Sequence, residues 1–131
     1  MKPLIMSAIV AIATHSGAAE PASVQPAPAY SCNLAALSQE ELATYQKLSQ
    51  ALLAGVQETA ELPNGYAFRL PRESLVDAAQ WVSYESRCCP FFAFEFELAD
   101  YSESLWLRIS GADGVKEFIR MEFERVIPAK R

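Results

Sequence analysis

Three cysteines and one glutamate carry most of the chemistry this chain offers. Cys88 and Cys89 are adjacent in the stretch Glu85-Ser86-Arg87-Cys88-Cys89-Pro90-Phe91-Phe92, and Cys32 stands far upstream. Thiolates prefer soft or borderline cations, and a bound cation itself drives the thiols to deprotonate. On a helix, residues three and four apart are neighbours, so Glu85 can approach both members of the pair. The ligand set expected from residue type is therefore Cys88 and Cys89, with Cys32 as a third sulfur and Glu85 as an oxygen ligand. Zinc, copper(I), mercury(II) or arsenite would suit it, although adjacent cysteines depart from the usual two-residue zinc spacing.

Two other readings stand beside this one. Cysteine is among the most buried residue types, so the pair can be plain core. A disulfide from Cys32 to Cys88 or Cys89 is equally open. Either would make the chain a structural or protein-interaction module. The third reading is a thiol oxidoreductase, against which the absence of a C-x-x-C spacing counts. A helix C-terminus favours cations and raises thiol pKa, so the pair is not an activated nucleophile by position. A non-enzymatic role is the expectation.

Compartment bears on the thiols. Lys2, the apolar run from Leu4 to Ala13 and the small residues Ser16-Gly17-Ala18-Ala19 form a secretory-signal pattern over residues 1–19, too short to span a bilayer. Residues 20–31, with Pro21, Pro26 and Pro28, read as an extended tether, and 32–131 as a single domain. Cleavage would remove His15, the one histidine of the chain, and with it any imidazole for acid–base work. A periplasmic or secreted location follows, where thiols tend to pair. The formal net charge of −5 gives no support to nucleic-acid or anionic-membrane binding.

The elements that must position the cysteines are legible from periodicity. Ser38-Gln39-Glu40-Glu41 is a capping box flanked by Leu37 and Leu42, and Tyr45, Leu48, Leu52 and Val56 continue one helical face. Pro63-Asn64-Gly65 is a turn, and Tyr66, Phe68 and Leu70 alternate as a strand. A second helix is expected from about Glu73 to Cys89, with Leu75, Ala78, Ala79, Val82 and Cys89 near the core. Cys88 would then be the accessible thiol of the pair. After Pro90, Phe92, Phe94, Phe96 and Leu98 alternate with Glu95 and Glu97. Leu105, Leu107 and Ile109 form the next strand, and Val115, Phe118, Ile119, Phe123 and Val126 a last helix.

The order α-β-α-β-β-α predicts an α+β domain, a three-stranded antiparallel sheet with its helices on one face. The other face would carry Arg69, Arg108, Glu95 and Glu97 as cross-strand charge pairs. Trp106 there is a candidate binding platform or homodimer contact. Glu122 is expected at the edge of the last helix's stripe, paired with an arginine. With the first helix leading straight into Tyr66, its N-terminus falls at the opposite end of the sheet from Cys89. A helix of about 18 residues is ~27 Å long, and the residues from Cys32 to Ser38 reach under ~20 Å. Cys32 is then expected out of reach of the pair.

The Glu85 to Phe92 stretch, with Glu61-Leu62-Pro63-Asn64-Gly65-Tyr66 and Gly111-Ala112-Asp113-Gly114-Val115-Lys116-Glu117-Phe118, resembles a group of small, largely uncharacterised bacterial proteins sharing a Glu-x-Arg-Cys-Cys-Pro-Phe motif. Cys32-Asn33-Leu34 ahead of a capped helix is similar to their opening. The resemblance covers about 32–123 and implies a shared fold and an interest in the cysteines, in heavy-metal resistance surroundings. It brings no established activity. It implies nothing about compartment, because such proteins lack the signal and tether.

Overall fold

The structure, a computed structural model, describes residue 17, residues 30–99 and residues 101–129. Apart from Gly17, the signal segment with His15 lies outside the described residues, as does nearly all of the tether. Helix α1 (Gln39–Ala54) begins on the capping box: Glu41 N–H donates to Ser38 Oγ, and Ser38 N–H donates to Glu41 Oε2. Helix α2 spans Leu75–Cys88 and α3 spans Val115–Glu122. The strands are β1 (Glu58–Leu62), β2 (Gly65–Pro71), β3 (Ala93–Glu97) and β4 (Ser104–Ser110). They form one antiparallel sheet in the order β1-β2-β4-β3.

The α+β class, the three helices and the antiparallel sheet match the sequence reading; the strand number does not. Among the described residues the sheet has four strands, because Glu58–Leu62 pairs with β2 as an edge strand. Its helix-facing positions are Thr59 and Glu61, which sit in register with Phe68 and Tyr66. Thr59 donates its hydroxyl to the Val126 carbonyl, and Glu61 pairs with Lys116 at 2.6 Å. An edge strand whose inward side chains are polar leaves no apolar alternation to read.

The missed strand inverts the geometry inferred for Cys32. Helix α1 enters β1, and the hairpin at Pro63-Asn64 turns the chain back before β2 begins. Gly65 opens β2 pressed against the next strand, where an added Cβ would overlap the Ile109 carbonyl oxygen. Strand β2 therefore ends where α1 ended. Helix α2 starts there and runs antiparallel to α1. Arg87 near the end of α2 meets Glu41 at the start of α1, and Trp81 Nε1 donates to Ser49 Oγ at 2.9 Å. The C-terminus of α2 and the N-terminus of α1 thus lie together.

The core fills the space between sheet and helices. Tyr66, Phe68, Leu70, Leu105, Leu107 and Ile109 face Ala78, Trp81, Val115, Ile119 and Phe123. Trp81 sits edge-on to Phe94 and Phe123, with ring centroids 6.2 and 6.1 Å apart. On the opposite face Arg69 pairs with Glu58 at 3.0 Å, and Arg108 pairs with Glu97. Trp106 lies half-buried between Arg69 and Glu97 in register. Among the described residues, no helix is long and apolar enough to cross a membrane.

Candidate functional site

The end of α2 is a boundary imposed by Pro90. Cys89 caps the helix with φ −124° and ψ 70°, and its N–H still donates to the Glu85 carbonyl. That break takes Cys89 off the helical wheel, although it is fully buried in the core as expected. The buried stripe of α2 is instead Ala78, Trp81, Glu85 and Cys88. Val82 is only half-buried and Ala79 is exposed, so the stripe read from the sequence is rotated. A charged residue on the inner face concealed the true one.

Cys32 is joined to Cys89 by a disulfide, with Cα atoms 4.7 Å apart. This overturns the expectation that Cys32 lies at the far end of the sheet, and the missed β1 is the reason. The approach is fixed by backbone and side chains together. Asn33 N–H donates to the Cys88 carbonyl at 2.8 Å. Arg87 grips Glu41 with two nitrogens, at 2.8 and 3.1 Å, and donates to the Ala36 carbonyl. This bidentate pair and the capping bond from Ser38 hold the Glu41 carboxyl down at about 2. Tyr30 packs on Phe91, ring centroids 4.8 Å apart, and donates to the Asp113 carbonyl.

Cys88 does not have the exposure expected of it. It is the free cysteine among the described residues, and it is fully buried on the core stripe. Burial first, and the Glu85 charge second, push its thiol pKa up, with Arg87 opposing. The native oxidised protein is therefore expected to show no thiol reactive toward a bulky aromatic disulfide reagent. Adding denaturant should release one per chain. Rapid labelling of the native protein would contradict this placement.

Glu85 is the unusual member of the site. It is only 3% exposed, and its Oε2 has no hydrogen-bond partner. Its Oε1 lies 3.4 Å from Cys89 Sγ. A disulfide sulfur carries no proton, so in the oxidised state this contact is a hydrogen bond only when Glu85 is protonated and donates. Burial pushes the Glu85 pKa up to about 7; the nearby Tyr45 hydroxyl pulls it down, and Glu122 adds to the rise. Tyr45 is itself raised, by burial and then by the Glu85 charge.

The sulfurs of Cys32 and Cys89 and a carboxylate oxygen of Glu85 lie within 4.8 Å of one another. Three of the four candidate ligands are thus brought together, and Cys88 falls outside that group. Glu122 is exposed, and no arginine pair is seen for it among the described residues; it stands instead at the edge of a cavity. No protein-family model, curated protein or solved structure matches the chain.

Proposed function

We propose that this is an exported thiol protein that takes one soft or borderline cation between Cys32, Cys89 and Glu85 when the two cysteines are reduced. The observation that carries the reading is the convergence of two sulfurs and a carboxylate oxygen within 4.8 Å. Two thiolates supply the soft donors, and Glu85 offers a harder oxygen that would favour zinc over a purely sulfur-loving ion. Copper(I), mercury(II) and arsenite are the competing candidates. In the disulfide neither sulfur is a thiolate, so oxidation closes the site. Cys88 supports the end of α2 from the core and is not among the primary ligands.

The test is metal uptake by the mature chain. Fully reduced protein is titrated with zinc, copper(I), mercury(II) and arsenite against a chromophoric competitor. Uptake of one equivalent by the reduced protein and none by the oxidised is expected. Cys32→Ser and Cys89→Ser each abolish it, and Cys88→Ala retains it. No uptake by the reduced chain, or uptake that depends on Cys88 alone, overturns the reading.

The disulfide favours a second reading, an interaction module in which the bond is a permanent staple. Its contact surface would be the outer sheet face around Trp106, where a homodimer would form. A chain that binds no metal when reduced, and that self-associates through a Trp106-dependent contact, would support it.

A further inference from the structure

A second feature lies beside the thiol site and shares Glu85 with it. A cavity of about 520 Å³ opens between α1 and α3 and reaches down to the sheet. The sheet residues Phe68, Leu70, Leu107 and Ile109 line it, together with Trp81 of α2. Such a volume matches a small-molecule pocket, which is usually apolar with a few convergent polar groups. The charged groups here are of one sign. Glu85 and Glu122 are in the wall, Tyr45, Ser49 and two glutamines are the neutral polar groups, and no lysine or arginine lines it among the described residues.

One of these groups already has a role. Ser49 accepts from Trp81 Nε1 and donates to the Tyr45 carbonyl. Glu85 Oε2 has no partner within hydrogen-bond distance, although the Tyr45 hydroxyl is near enough to lower the Glu85 pKa, and it is the only buried side-chain oxygen or nitrogen among the described residues left so. Leaving a buried acceptor unmet is costly, so a group that supplies a donor there gains what the protein forgoes alone. Trp81, Tyr45 and Phe68 line the same cavity, and aromatic faces attract cations.

We propose that this cavity binds a small organic ammonium: a protonated amine on a body of one or two apolar rings. The ammonium donates to Glu85 Oε2 and is steered by Glu122 at the edge, while the body lies over Phe68, Leu70 and Leu107. An anion of the same shape finds the acidic groups Glu85 and Glu122 and no lysine or arginine among the described lining residues, and is rejected.

The experiment uses the full, oxidised, metal-free chain and three probes of one shape. These are 2-phenylethylammonium, neutral 2-phenylethanol and the anion 3-phenylpropanoate. Calorimetric titration is expected to give the ammonium about tenfold tighter binding than the alcohol, and no saturation with the anion. Glu122→Gln should weaken the ammonium about threefold, leave the alcohol unchanged, and leave metal uptake by the reduced protein unchanged. The chain has two tryptophans. In a Trp106→Phe variant, Trp81 reports alone, and its fluorescence should follow the ammonium titration. Equal affinity for ammonium and alcohol, no saturable binding, or binding that leaves Trp81 fluorescence unmoved would each overturn the proposal.

Discussion

A Cys32→Ser chain is expected to unfold about 4 kcal/mol more easily than the oxidised parent. The Cys32–Cys89 bond spans a sequence separation of 57 and encloses α1, β1, β2 and α2. Cross-linking so long a loop removes much of the freedom of the unfolded chain, and loop entropy at this length corresponds to about that figure. The native state has little to rearrange, because Asn33 and Arg87 already hold the two segments together. Equilibrium unfolding in urea measures the effect. The reduced parent and Cys32→Ser should coincide when metal is absent, since both lack only the link. A difference below about 1 kcal/mol between oxidised parent and variant would show that the bond constrains little. The same series tests the cation site. Zinc at a hundred times its dissociation constant stabilises by about 2.7 kcal/mol, and it should do so for the reduced parent but not for Cys32→Ser.

The contrast between what the chain reveals as a string and what it does when folded has two sources. The capping box at Ser38, the alternation of Phe92, Phe94 and Phe96, and the helix on Val115, Phe118 and Ile119 are local patterns that agree with the global packing. Strand β1 has no such pattern: Thr59 and Glu61 face the helices, and only pairing with β2 makes the segment a strand. One missed reversal moved Cys32 from beside Cys89 to the far end of the sheet. The second source is Glu85. A carboxylate on the inner face of α2 breaks the apolar period, so counting hydrophobic residues turns the helix the wrong way. Breaks of that kind concentrate where a sequence serves something other than stability. Glu85 was legible as a neighbour of both cysteines, but its burial was not.

Glu85 also sets the expected dependence of stability on pH. Its carboxyl has an ordinary pKa of 4.5 and is raised to about 7 when folded. Between those values the folded state holds a proton that the unfolded chain has released. Stability must therefore fall as pH rises through this window, at about 1.4 kcal/mol per unit, or about 3 kcal/mol in all. The contribution is fully present below 4.5 and lost above 7. Glu41 acts in the opposite sense and in a separate window: held at about 2 by Arg87, it loses its contribution as pH falls below 4.5. Tyr45 and Cys88 beside Glu85 are both raised and stay protonated, so neither adds a competing transition there, and the Glu122 charge adds to the rise of Glu85. Urea unfolding of the oxidised, metal-free protein from pH 4.5 to 8 should show this decline. Glu85→Gln keeps the size of the side chain and has no proton to lose, so its curve should be nearly flat, overtaking the parent toward alkaline pH. Parallel curves for the two chains would mean that Glu85 titrates as an exposed carboxyl does. The same proton links stability to chemistry. Near neutral pH the protonated Glu85 can donate to the Cys89 sulfur, and any cation that enters after reduction must displace that proton along with those of the thiols. The cation site is then expected to open as pH rises over the range in which the metal-free fold weakens.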